Sequence, residues 1–246
     1  MLSDQSVHDP LTGVFNRRHC TTLMGQQEAL LAKKSRDRTY TACVGLMLLD
    51  VDHFKKINDT YGHSAGDAVL VEIARRLQEL VRQHDVVVRW GGEEFVLVLP
   101  GTSAEGMLVL AGRLLRTIAD SPVMAEGQAI PVTVSVGCVA YPLFPNQAWQ
   151  DTLKVADLAM YLAKQGGRNR ALCVMGVNEG ALVASLATDL AWRRGGRGRV
   201  GDDGARSRCD GGCGTSGSRE KFRVRSDYVM PRTYGAGLPV HTERSA

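Results

Sequence analysis

Two adjacent glycines, Gly91 and Gly92, separate two short apolar runs, Val86–Val88 and Phe95–Leu99. Apolar runs joined by a glycine turn read as a β-hairpin, so any sheet this chain builds contains an antiparallel pair. Helical and strand-like stretches otherwise alternate. Phe15 to about Lys34 reads as a helix and Thr41 to Asp50 as a buried strand. From Gly66 to about Val81, the residues Val69 or Leu70, Ile73, Leu77 and Leu80 recur at helical spacing, as do Leu108, Ala111, Leu115 and Ile118. Ile130 to Tyr141 reads as a strand. Leu153, Ala156, Met160 and Ala163 mark a helix stopped by Gly166-Gly167, and Ala171 to Val174 is a closing strand. Alternation alone would give a parallel α/β sheet; the hairpin turns the expectation into a mixed sheet covered by helices.

That patterning ends near Val174. Thirteen of the 27 glycines fall in residues 175–246, together with the basic run Arg193-Arg194-Gly195-Gly196-Arg197-Gly198-Arg199. The same segment holds twelve Lys+Arg against eight Asp+Glu. That is the whole net charge of +4, and it leaves residues 1–174 neutral. A neutral domain gives no global reason to expect nucleic acid. Composition favours disorder over an Arg-Gly nucleic-acid arm for the tail, because it cannot bury enough apolar area to offset its conformational entropy. Within it, Leu182, Val183, Leu186 and Leu190 are spaced for one short amphipathic helix. The organisation expected is a stub over 1–8, a domain over 9–174 and the tail over 175–246. Met1-Leu2-Ser3-Asp4-Gln5 has no signal-peptide character, and no apolar run reaches membrane-spanning length, so the reading is cytoplasmic. Six scattered cysteines fit reduced thiols; Cys209 and Cys213 alone lie close together, and without a second ligand pair they are a weak zinc signal.

Three clusters carry chemistry. Asp50-Val51-Asp52-His53-Phe54-Lys55-Lys56 follows a buried strand, where carboxylates are well placed to hold a hard cation. Alone it reads first as a solvated strand-to-loop junction. In Arg89-Trp90-Gly91-Gly92-Glu93-Glu94-Phe95, two acids directly follow a glycine turn. Like charges repel in a plain hairpin, so with a second acid cluster in the chain a metal site is the better reading. Lys164-Gln165-Gly166-Gly167-Arg168-Asn169-Arg170 is a cationic helix end that either complements the helix dipole or neutralises phosphates. These two readings stand level.

Asp9-Pro10-Leu11-Thr12-Gly13-Val14-Phe15-Asn16-Arg17-Arg18 resembles the opening signature of GGDEF domains, and Asp50 to Asp67 resembles their metal and guanine segment. Gly91 to Phe95 is similar to the family's signature loop in its GGEEF form, and Ala156-Asp157 through Arg170 to its closing helix. Four motifs in this order identify residues 9–174 as resembling a diguanylate cyclase, a magnesium enzyme that joins two GTP into cyclic di-GMP. The resemblance implies an α/β (α+β), nucleotidyl-cyclase-like mixed β-sheet flanked by helices, with the GGEEF loop on a hairpin. It further implies that Asp50, the Val51 carbonyl and Glu93 hold Mg2+, with Mn2+ as an alternative, and that Glu93 activates the attacking hydroxyl. Asp52 and Glu94 would complete the acidic site. Asn58 and Asp67 would bond the guanine edge. Lys55, Lys164 and Arg168 would neutralise phosphates, assisted by the Phe54-Lys55 backbone amides, and His63 would lie near the nucleotide. The chemistry agrees: guanine offers donors to a carboxylate and an acceptor to an amide, and a site so paired rejects adenine.

Arg82-Gln83-His84-Asp85 stands five residues before Gly91, where the family places a product-inhibition motif, with Arg113 as a supporting arginine. Read without the family, it is a helix-ending arginine and a turn aspartate; the fixed offset favours the regulatory reading. Two reciprocal attacks are needed to close a cyclic dinucleotide, so the active form expected is a two-fold homodimer. A binding module that senses GTP or cyclic di-GMP is the competing class, and the presence of Asp50, Glu93 and Lys55 argues against it.

Overall fold

The structure is a computed structural model that describes residues 7–34, 43–143, 147–178, 181–188 and 222–224. Strand β2 (Val44–Val51) lies inside the main sheet, between β4 (Glu94–Pro100) and β7 (Val134–Tyr141), antiparallel to both. All eight β2 residues are buried, as a near-continuous apolar run requires when helices cover both faces. Met47 and Leu49 point into one layer with α3 (His63–Leu80) and α4 (Ala104–Ala119). Leu46 and Leu48 point into the other, with α1 (Arg17–Lys34) and α5 (Trp149–Gln165). Helices thus sandwich the sheet.

Around β2, the sheet runs β1 (Phe15–Asn16), β3 (Val86–Gly91), β4, β2, β7, β8 (Arg170–Asn178), β9 (Ala181–Thr188), β10 (Phe222–Val224). The pairs β1–β3 and β7–β8 are parallel and the others antiparallel, so the mixed sheet and the hairpin are both present. Helix α5 lies unusually close to β7. A Cβ on Gly137 would stand 1.9 Å from the Ala156 carbonyl oxygen and 2.6 Å from the Met160 nitrogen. That contact sets Lys164, at the far end of α5, beside the end of β2.

Several elements differ from the spacing. Helix α1 begins at Arg17, because Phe15 and Asn16 pair with Val88 and Arg89, and the Asn16 side chain accepts from the His19 amide at 3.0 Å as an N-cap. A helix absent from the apolar pattern, α2 (Phe54–Tyr61), buries only Ile57 and so leaves no periodic trace. The stretch read as one strand from Ile130 divides at Pro131 into β6 (Gln128–Ile130), paired with β5 (Val123–Ala125), and β7. The helix spacing over Leu182, Val183 and Leu186 is overturned: this segment is β9, antiparallel to β8, and Leu190 lies outside the described residues. A short apolar run fits either period, and here it satisfies the otherwise unpaired edge of β8. The sheet therefore continues past Val174. Of the tail expected to be disordered, residues 175–178, 181–188 and 222–224 are strand, and its other residues lie outside the described ones, as does the Cys209–Cys213 pair; Cys20, Cys43, Cys138 and Cys173 are free thiols. Among the described residues no helix is long and apolar enough to cross a membrane.

Candidate active site

The hairpin tip is fastened on two sides. Gly92 takes φ +48°, a left-handed conformation that glycine adopts without a Cβ penalty. Its carbonyl accepts from Arg89 Nε at 3.1 Å and Nη2 at 2.9 Å. Arg89 Nη1 reaches Asp9 Oδ1 at 3.0 Å, and that same oxygen accepts from the Thr12 amide at 2.9 Å and hydroxyl at 2.7 Å. Burial opposes ionisation of Asp9, but the Thr12 bonds and the Arg89 guanidinium hold its carboxyl below the usual range. On the other side, the Val51 amide donates to the Glu93 carbonyl at 3.3 Å, and Asp50 stands opposite Glu94 in the β2–β4 register. The opening motif thus secures the turn, and the turn lays Glu93 against the end of β2.

Around that junction, acids outnumber cations. Asp50 is only 7% exposed, and Lys164 Nζ meets its Oδ2 at 2.8 Å. Burial pushes the Asp50 carboxyl up; Lys164 opposes the shift, and the charges of Glu93 and Asp52 add to it. The Glu94 carboxyl is raised by burial and then by Asp50 and Asp157, against Lys164. Asp157, at the rim, is raised by partial burial, again against Lys164. One lysine neutralising several crowded carboxylates is the electrostatic setting a hard cation would relieve. Among the described residues no three His, Cys, Asp or Glu side chains converge into a ready metal cage. Magnesium does not need one: it keeps several waters and binds through one or two carboxylates plus substrate phosphates. Asp50, Glu93 and the Val51 carbonyl fit that requirement as hard oxygen donors.

Asp52, which the sequence places in the acidic site, is committed elsewhere. It is 4% exposed; its Oδ1 accepts from Ser135 Oγ at 2.7 Å, and its Oδ2 from Thr133 Oγ1 at 2.7 Å and the Asn169 amide at 3.0 Å. This carboxylate ties β2 to β7 and to the loop after α5. That use leaves no local trace in the sequence, because its partners lie more than eighty residues away or, in Asn169, are backbone.

Beyond β2, His53 takes φ +59° and starts α2, and Gly62 separates α2 from α3. Lys55 lies exposed in the first turn of α2, and Phe54 is half-buried against the core. Asn58 is half-buried with its amide oxygen against Gly66, where a Cβ would come within 1.8 Å. Glycine at 66 is therefore what admits the Asn58 side chain beside the start of α3, one residue before the exposed Asp67. His63 is the exposed first residue of α3. Arg168, also exposed, sits in the loop after α5.

The Arg82–Asp85 segment closes on itself: Asp85 Oδ2 accepts from the Arg82 amide at 2.9 Å, and the Asp85 amide donates to the Arg82 carbonyl at 3.0 Å. Arg82 and Arg113, the latter on α4, are exposed. The pattern missed Arg76, a buried arginine of α3 that bonds Glu72 at 2.8 Å, the Ile118 carbonyl at 2.9 Å and the Ser121 carbonyl at 2.7 Å, locking α3 to the end of α4. It also missed a cleft of about 430 Å³ between α1 and α5, where Arg17 stacks 4.5 Å over Trp90 and Glu94 and Asp157 form part of the wall.

Residues 6–170 match the family model described as "Diguanylate cyclase, GGDEF domain". The chain is 38% identical over 170 residues to the probable diguanylate cyclase DgcC of Escherichia coli (strain K12), covering 69% of this chain and 43% of that protein. It is 41% identical over 172 residues to the diguanylate cyclase DgcP of Pseudomonas aeruginosa, covering 69% and 24% respectively. The chain therefore spans less than half the length of these relatives. Among solved structures, it is similar to the GGDEF domain of DgcB from Caulobacter crescentus, crystallised in complex with c-di-GMP, with TM-score 0.62, 26% identity, and coverage of 70% of this chain and 97% of that one. It is also similar to the diguanylate cyclase SiaD of P. aeruginosa, solved with its activator SiaC, with TM-score 0.59, 38% identity, and coverage of 69% and 62%.

Proposed function

Since the chain belongs to the diguanylate cyclase GGDEF-domain family, we propose that it is itself a cyclase, joining two GTP into cyclic di-GMP with release of two pyrophosphates. The observation that carries this reading is the junction of hairpin and β2. Buried Asp50, its ion pair with Lys164, and Glu93 held there by the Val51 amide stand together at one strand end.

In this reading Asp50, the Val51 carbonyl and Glu93 hold Mg2+, for which Mn2+ can substitute, with Glu94 adding negative charge beside them. The bound ion supplies charge neutralisation at the reacting phosphate and lowers the cost of deprotonating the attacking 3′-hydroxyl. Glu93 accepts that proton at its carboxylate. Lys55 and Arg168 face the β- and γ-phosphates. Lys164, which pairs with Asp50 at 2.8 Å, would join them, and the Phe54-Lys55 amides would add donors at the start of α2. Asn58 and Asp67 bond the guanine edge, with His63 beside them. The protein's work is positioning and charge stabilisation.

Each site holds one GTP, and ring closure needs two attacks, so the active species is a two-fold homodimer. Cyclic di-GMP also acts as inhibitor at Arg82, Asp85 and Arg113. Arginine pairs with phosphate or with guanine's acceptor face, and aspartate accepts from guanine's donors. We assign the catalytic unit to residues 9–174, preceded by 1–8 and followed by the 175–246 tail, and place the enzyme in the cytoplasm, where GTP is supplied. Incubating the protein with GTP and Mg2+ and identifying the product by mass tests the reading. Cyclic di-GMP with two equivalents of pyrophosphate is expected; GTP left intact would refute it.

A further inference from the structure

Asp52 has the burial of a core residue and the bonds of a clamp. We infer that it is the positioning residue of the phosphate-binding loop. Its carboxylate fastens the turn Gly167-Arg168-Asn169 to the end of β2 and so sets Arg168 against the nucleotide's terminal phosphates. The inference rests on the assignment of Lys164 and Arg168 to those phosphates.

An ionised carboxylate has about four acceptor positions. Three are filled here, by the Ser135 hydroxyl, the Thr133 hydroxyl and the Asn169 amide. The main chain is fixed as well, since the Asp52 amide donates to the Thr133 carbonyl at 2.9 Å. These oxygens point toward β7 and the loop after α5, so the residue is unsuited to ligate a cation beside Asp50.

What it holds is a conformation the chain does not favour. Gly167, Arg168 and Asn169 take φ of +115°, +61° and +44°, three consecutive residues on the side of the map that L side chains avoid. Such a turn persists only where its surroundings over-determine it. The Gly167 amide donates to the Lys164 carbonyl at 3.3 Å and the Arg168 amide to the Ala163 carbonyl at 3.1 Å, which close the loop onto α5. The Asn169–Asp52 bond joins it to the strand that carries Asp50. Arg170 then enters β8 opposite Ser135, itself an Asp52 partner. One carboxylate thereby sets the spacing between the metal side of the site and the cation on the loop.

The two obvious substitutions separate clamp from ligand. In Asp52→Asn, the amide oxygen can replace Oδ2 and keep Thr133 and Asn169, while the new NH2 donates to the Ser135 hydroxyl. In Asp52→Ala, the Asn169 amide loses its acceptor. Calorimetry with Mg2+ should compare 3′-deoxy-GTP, which lacks the attacking hydroxyl and is not consumed, with GMP, which lacks the terminal phosphates. Asp52→Ala should weaken 3′-deoxy-GTP about tenfold and leave GMP unchanged. Asp52→Asn should stay within about threefold of wild type. By hydrogen exchange, the Asn169 amide should be slow in wild type and in Asp52→Asn. Wild-type affinity in Asp52→Ala would overturn the inference, as would equal losses for both ligands, or an Asp52→Asn variant as weak as the alanine one. Should the alanine variant not fold, the asparagine variant and the wild-type exchange rate still decide, because a fast Asn169 amide leaves no clamp. Wild-type protein that binds neither nucleotide, with a slow Asn169 amide, would count against the GTP assignment and leave the clamp standing.

Discussion

Carboxylates of similar sequence surroundings are put to different uses in this molecule, and the difference lies in what faces each oxygen. Asp50 meets one lysine among several acids, Asp52 meets three donors, and Asp9 secures an arginine that secures a turn. A sequence shows that acids cluster but not which way they face, so the acid cluster at the end of β2 was legible and the bonds of Asp52 were not. If Asp67 bonds the guanine edge as proposed, Asp67→Ala should weaken GTP binding by about 1–3 kcal/mol, measured by calorimetry, as expected for an unmade hydrogen bond. Unchanged affinity would move the guanine pocket away from α3. Arg82→Ala should remove inhibition by added cyclic di-GMP while keeping the initial rate, since it touches no residue of the metal site; equal inhibition of both proteins would leave Arg82–Asp85 a simple turn. Glu72 gives a pH signature. Its bonds to Arg75, against the effect of burial and with Arg76 adding to them, lower its pKa from 4.5 to about 2. A carboxyl lowered in the folded state contributes stability that is present above its ordinary value and lost as pH falls through the lowered one. Stability measured by denaturant should therefore fall between about pH 4.5 and 2 more steeply in wild type than in Glu72→Gln; parallel curves would remove Glu72 from the account.

Elements were legible in proportion to how much they bury. β2 and α3 bury long apolar sets and stand close to where their patterns put them, whereas α2 buries one residue and β5 and β6 are three residues each. In 181–188, a short apolar stretch fits helix and strand alike, and the free edge of β8 decides the outcome. The contact of α5 with β7 was hidden for another reason: it depends on the absence of a side chain at Gly137. Because a methyl there would meet the Ala156 carbonyl at 1.9 Å, and backbone cannot rotate aside, Gly137→Ala should cost at least about 2 kcal/mol. It should also reduce GTP affinity by shifting Lys164. Thermal and denaturant unfolding test the first part, and a wild-type melting curve would show that α5 can move away without loss.

At the scale of the whole molecule, everything proposed for catalysis lies at one end of the sheet. The end of β2, the hairpin tip, the starts of α2 and α3 and the loop after α5 converge there, each brought by a different connection. The family motifs were readable because they mark those connections, while the way the sheet continues through β9 and β10 has no counterpart in them. In the proposed reading one such end takes one GTP, so the central claim is a cyclase made of two half-sites. The most direct test is the initial rate of cyclic di-GMP formation from GTP and Mg2+ over a dilution series of the protein, with Glu93→Gln measured alongside. The account expects a wild-type rate that rises more steeply than linearly with protein concentration while the dimer is partly dissociated, and no product from Glu93→Gln, which folds normally but can neither hold the cation well nor accept the proton. A constant specific activity from a species shown to be monomeric by light scattering, or a Glu93→Gln rate close to wild type, would contradict it.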